Sequence, residues 1–120
     1  MTRLKVALIG LGRMGRVHAA ALVKSNSVEV VAVADPSPNA LNFAKTLFSG
    51  AALFDNYKQA LLHDQVQACV IASPTPMHAE MVRDALEHGL HVLCEKPLAL
   101  DSEVAKELAT LATTANLVLQ

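Results

Sequence analysis

The residues Gly10-Leu11-Gly12-Arg13-Met14-Gly15 follow an apolar run from Leu4 to Ile9 and open a helix-like stretch. Their spacing suits the docking of a pyrophosphate. Gly10 permits a tight turn, Gly12 lets the backbone approach phosphates without a Cβ in the way, and Gly15 lets the helix pack closely on the strand. The N–H groups at the helix start, on Gly12, Arg13 and Met14, then face the anion. A glycine-rich turn between strand and helix is often only a turn, so a second residue must corroborate it. Asp35 does so. It ends the second apolar run, about twenty residues after Gly15, where a carboxylate accepts hydrogen bonds from both hydroxyls of an adenosine ribose. A 2′-phosphate there would meet a like charge, and Pro36-Ser37-Pro38 brings no Arg to compensate, which favours NAD over NADP. The plainer reading of Asp35 is that it initiates the Asp35-Pro36-Ser37-Pro38 turn.

Two further clusters carry chemistry. Ser73-Pro74-Thr75-Pro76 lacks two N–H donors and is stiffened by its prolines, so it forms a rigid wall. That wall suits packing on the nicotinamide end, with the Ser73 or Thr75 hydroxyl on cofactor oxygens, and is compatible with a simple strand-to-helix turn capped by Thr75. His78, on the first turn of the next helix, reads as a ligand to cofactor or substrate, or as a histidine satisfied by local backbone. Glu95-Lys96-Pro97 places two opposite charges directly after an apolar strand, before a proline that holds Lys96 extended. An ammonium there stabilises developing alkoxide on a substrate hydroxyl or polarises a carbonyl, with Glu95 fixing its position. A solvated loop ion pair is the alternative.

These residues depend on the elements that carry them. Strand signals cover Leu4 to Ile9, Val28 to Ala34, Ala52 to Phe54, Val66 to Ala72, His91 to Cys94 and Leu117 to Gln120. Between them lie five helices. The first runs from Arg13 to Lys24 with Met14, Val17 and Ala21 on one face; Ser37-Pro38 starts the second; Asn56 caps Tyr57 to His63. Thr75-Pro76 starts a fourth that runs to about His88, with Gly89 as its left-handed stop. The fifth begins near Asp101 and carries Val104, Leu108, Leu111, Ala112 and Ala115 as a core stripe. Strands alternating with crossover helices imply an α/β fold, a doubly wound parallel sheet of the Rossmann type in the order 3-2-1-4-5-6. All the candidate residues then fall at one sheet edge, the carboxyl edge where such folds bind ligands.

Bulk properties narrow the field. The 120 residues suffice for one domain, and the 52% apolar, 3% aromatic composition suits helices on a buried parallel sheet while leaving few stacking platforms for nucleic acid. A net charge of −1 without a Lys/Arg run argues against a phosphate-backbone partner. No apolar run approaches the roughly 18 residues of a membrane span, and Met1-Thr2-Arg3 leads straight into a strand, so a cytoplasmic protein with no membrane partner is expected. Cys69 and Cys94 sit in apolar strands and read as buried thiols offset by about 10 Å along the sheet, too far for a bridge. His63, His88 and His91 lack partners at metal-ligand spacing, so no metal site is expected; Asp64 and Asp84 read as solvated surface.

The combination of Gly10-x-Gly12-x-x-Gly15-x-x-His18, Asp35, Ser73-Pro74-Thr75-x-x-His78 and Cys94-Glu95-Lys96-Pro97-Leu98 resembles the amino-terminal half of the glucose-fructose oxidoreductase and inositol dehydrogenase (Gfo/Idh/MocA) family. The resemblance covers the whole chain, and the Glu-Lys-Pro element is its specific part. It implies that Lys96 lies near the nicotinamide and the substrate hydroxyl as the catalytic residue, and that the Lys96-Pro97 peptide is cis. It implies cofactor contacts from Gly10, Gly12, Arg13, Met14, Asp35, Ser73, Pro74, His78, Glu95, Lys96 and Pro97. It also implies a carboxy-terminal substrate domain, with a sugar or polyol as substrate, so the chain is expected to be a truncated domain that binds cofactor and turns over little. A homo-oligomer is left open by the sheet edge and apolar surface that a missing domain would uncover. The rival readings are a non-catalytic NAD-sensing module, which would have no need of Lys96, and a methyltransferase, which also uses glycines and an acid after the second strand.

Overall fold

The computed structural model describes residues 2–120; Met1, where the expected lead into the first strand begins, lies outside the described residues. The elements alternate as β1 (Leu4–Ile9), α1 (Arg13–Lys24), β2 (Val28–Ala34), α2 (Pro38–Leu47), β3 (Ala52–Phe54), α3 (Tyr57–Leu61), β4 (Ala68–Ile71), α4 (His78–Glu87), β5 (His91–Cys94) and α5 (Ser102–Thr114). All sheet pairings are parallel, in the order β3-β2-β1-β4-β5. The sixth strand expected at 117–120 is instead a single bridge, Leu119 to Val92. Val92 N–H donates to Val118 O and Gln120 N–H to Val92 O, so the segment lies alongside β5.

Helices cover both sheet faces, which is why the central strands are apolar on both sides. On one face α1 and α2 pack Ala19, Ala40 and Ala44 against Val6, Leu8, Val30, Val33 and Val70. On the other, α3, α4 and α5 pack Leu61, Val82, Leu86 and Leu108 against Ala7, Ile9, Cys69, Ile71 and Val92. Local chemistry sets the helix starts. Ser37 Oγ accepts from Ala40 N–H with Pro38 at the first helical position, Asn56 accepts from Lys58 N–H, and Asp101 accepts from Glu103 N–H. Gly89, at φ +77°, ends α4 in the left-handed region.

The α1 face that carries Met14, Val17 and Ala21 is exposed, Met14 by 42% and Val17 by 55%, whereas Gly15 and Ala19 face the sheet. The contact is too close for large side chains: a Cβ on Gly15 would lie 2.0 Å from Gly10 O. Ala115, placed in the core stripe of α5, is exposed, although Leu108 and Ala112 are buried. Thr75 is not the cap of α4, because Thr75–Met77 forms a turn of 3-10 helix and α4 begins at His78.

Candidate functional site

A cavity of about 830 Å³ opens over the carboxyl ends of β1 to β4, within the size range of small-molecule sites. Its floor is the glycine turn. Gly10 adopts φ +93°, and a Cβ there would meet Ser73 N at 2.7 Å, so the first turn and the loop after β4 are pressed together. Gly12 caps α1 and lines the cavity, yet a Cβ built on it would meet nothing within 4 Å. Among the described residues, nothing requires glycine at that position. No side chain caps α1 and no acid occupies its first turn, so its amino-terminal N–H groups are offered to whatever enters the cavity. The residues present thus fit a bound pyrophosphate.

Asp35 sits at the end of β2, half-buried, on the cavity wall. Its Oδ2 accepts from Leu11 N–H at 2.8 Å and its Oδ1 from Ser37 N–H at 2.8 Å. The second bond is the expected turn; the first braces the glycine turn from the neighbouring strand. Each oxygen retains a further lone pair.

Ser73 and Pro74 also line the cavity, and Ser73 Oγ donates to Met81 Sδ at 3.0 Å. His78 is only 1% exposed and does not line it. Its Nε2 lies 2.7 Å from Ser73 O and its Nδ1 2.8 Å from Pro97 O. Both ring nitrogens of His78 thus face backbone carbonyl oxygens. Arg13, Glu95, Lys96 and Pro97 stand outside the cavity lining as well. Lys96 is exposed, the Lys96-Pro97 peptide is cis, and Glu95 accepts a 2.5 Å hydrogen bond from His18 Nε2.

Sequence reasoning overlooked several residues at this edge. Asp55, Asn56 and Tyr57 line the cavity beyond β3, and Met77 and Met81 line it from beyond β4. The strand order held the signal, since β3 beside β2 brings the following loop to the carboxyl edge. His18 stood in the resemblance without a role; its partner Glu95 lies 77 residues away. Asp84 is not solvated surface: half-buried, it accepts from Tyr57 Oη at 2.5 Å and ties α3 to α4. Burial first, then the Asp84 hydrogen bond and charge, raise the Tyr57 phenol above its ordinary range.

The thiols are free and buried. Cys94 pairs in register with Ile71, two residues beyond Cys69, an offset nearer 7 Å than the expected 10 Å. Burial pushes both thiols up to about 12, with the Glu95 charge adding at Cys94. Among the described residues no three His, Cys, Asp or Glu side chains converge, and no helix is long and apolar enough to cross a membrane.

Comparison with known proteins agrees with this geometry. Residues 4–120 match the family described as Gfo/Idh/MocA oxidoreductase, NAD-binding Rossmann fold. The rhizopine catabolism protein MocA of Rhizobium meliloti is 37% identical over 113 residues, spanning 93% of this chain and 35% of that protein. A scyllo-inositol dehydrogenase structure from Lactobacillus casei, with NAD(H) and scyllo-inositol bound, superimposes with TM-score 0.92 at 29% identity, covering 99% of this chain and 36% of its own. A 3-ketoreductase from Actinomadura kijaniata in complex with NADP gives TM-score 0.91 at 30% identity, covering 98% and 36%. The chain spans about a third of the length of the relatives it matches.

Proposed function

The chain belongs to the Gfo/Idh/MocA oxidoreductase family as an NAD-binding domain related to inositol and sugar dehydrogenases, and from that premise we propose that it binds NAD in preference to NADP and serves hydride transfer to or from a sugar, inositol or related polyol. The observation that carries this reading is Gly12: a glycine at an uncapped helix start, facing the cavity, whose missing Cβ no protein atom needs. When bound, the nicotinamide supplies the hydride acceptor or donor.

The chain's own residues do the rest. Backbone N–H groups of the Gly10–Met14 turn hold the pyrophosphate. Asp35 uses its remaining lone pairs on the adenosine ribose while its charge opposes a 2′-phosphate. Ser73 and Pro74 wall the nicotinamide side, and His78 ties their loop to Pro97. Glu95 and Pro97 serve the cofactor by holding the segment that bears Lys96, whose ammonium stabilises alkoxide on the reacting carbon's oxygen. Substrate contacts belong to the portion of family members that this chain does not span. Without substrate held and water excluded, the domain binds cofactor and turns over little. Two free, buried thiols support a reducing, cytoplasmic setting.

Calorimetric titration with NAD and NADP tests the proposal. NAD should bind more tightly, and Asp35→Ala should narrow the gap. Equal affinities in the wild type, or a preference for NADP, would refute the role of Asp35.

A further inference from the structure

The cavity accounts for the glycine turn, Asp35 and the Ser73-Pro74 wall, but Lys96 stands outside it, exposed and without an ion-pair partner among the described residues. Both of its chain neighbours are held. Glu95 N–H donates to Ile71 O at 2.9 Å, the last β4–β5 sheet bond, and the Glu95 carboxylate is gripped by His18 from α1. On the other side, the Pro97 carbonyl lies 2.8 Å from His78 Nδ1 in α4. Helices on opposite faces of the sheet thus each send one imidazole to the segment, one residue before the lysine and one residue after it.

We propose that His18 is a positioning residue for Lys96, acting through Glu95, with His78 as the opposite anchor. The proposal rests on the reading of Lys96 as the charge beside the nicotinamide. Two effects follow from the His18–Glu95 bond. It fixes the backbone from which the lysine projects. It also holds the Glu95 carboxylate, the nearest in sequence to Lys96, on α1, and Glu95 forms no ion pair with Lys96 among the described residues. The pair is only 22% and 25% exposed at its side chains, so water competes weakly for it.

A purely structural staple between α1 and the sheet would affect every ligand alike; a device that places a charge affects differently charged ligands differently. The oxidised nicotinamide ring is cationic and the reduced ring is neutral, so an ammonium nearby weakens NAD+ relative to NADH. Dissociation constants for both forms are measured on the wild-type chain, Lys96→Ala, His18→Ala, His18→Gln and the double variant with alanine at both sites. Circular dichroism checks that each is folded. Lys96→Ala should lower the NAD+ to NADH ratio of dissociation constants by about threefold or more. His18→Ala should produce most of the same change, His18→Gln should restore the ratio through its side-chain N–H, and the double variant should match Lys96→Ala. If Lys96→Ala shifts the ratio while His18→Ala leaves it unchanged or weakens both forms equally, the positioning role is overturned and the reading of Lys96 stands. If Lys96→Ala itself leaves the ratio unchanged, that reading fails and this proposal with it.

Discussion

Replacing Gly15 or Gly12 by alanine separates folding from ligand binding, because the two positions differ in what a methyl group would meet. At Gly15 it would lie 2.0 Å from Gly10 O and 2.7 Å from Gly10 C, backbone atoms that cannot move without parting α1 from β1. Such overpacking costs about 3 kcal/mol or more, a fall in Tm of roughly 10 °C or more for a domain of this size. At Gly12 the methyl meets no protein atom within 4 Å and φ is an ordinary −72°, so the only cost is that of alanine at a helix N-cap, about 1 kcal/mol or less. That corresponds to a Tm change of roughly 5 °C or less. The same methyl projects into the cavity where the pyrophosphate is proposed to lie and should weaken NAD by about tenfold or more, equivalent to roughly 1.4 kcal/mol. Thermal melts by circular dichroism and calorimetric titration give both numbers. A Gly12→Ala chain that binds NAD as the wild type does would refute the phosphate cradle, and a Gly15→Ala chain as stable as Gly12→Ala would refute the close contact of helix and strand.

Asp35→Ala removes the acceptor for Leu11 and Ser37 N–H groups, so it should also cost about 1–3 kcal/mol of stability, read by urea unfolding; an unchanged midpoint would contradict the bracing role. Tyr57→Phe deletes the hydrogen bond to Asp84 and should cost about 1–2 kcal/mol in the same assay. Both thiols and the Tyr57 phenol are raised in the fold, so the native state holds protons that the unfolded chain releases. Stability should therefore be full below about pH 9, where unfolded cysteine begins to ionise, and fall as pH rises towards 12; melts at pH 7 to 11 with no such decline would count against buried thiols. A disulfide reagent at pH 8 should label Cys69 and Cys94 only after denaturation, and rapid labelling of the native chain would do the same.

The strands were legible wherever an apolar run was continuous and ended in a turn residue. Leu4–Ile9, Val28–Ala34, Ala52–Phe54 and His91–Cys94 stand at the expected bounds, and so does α1. The strand expected from Val66 to Ala72 is shorter, Ala68–Ile71, although Gln67 and Ala72 N–H groups still bond to β1 carbonyls. Which face of α1 is buried was not legible from hydropathy, which ranks Met14 and Val17 above Gly15 and Ala19, because a helix pressed on a strand admits only small residues. The carboxyl-edge cluster followed from topology, which local patterns specify well. Tyr57–Asp84 and His18–Glu95 did not, because each joins side chains 27 and 77 residues apart whose meeting depends on tertiary packing.

A crystal structure of this chain with NAD bound tests the central claim most directly. The account predicts diphosphate oxygens about 3 Å from backbone nitrogens of the Gly10–Met14 turn, with the adenosine ribose on Asp35. A dinucleotide bound elsewhere, or one whose diphosphate stays in solvent away from that turn, would contradict it.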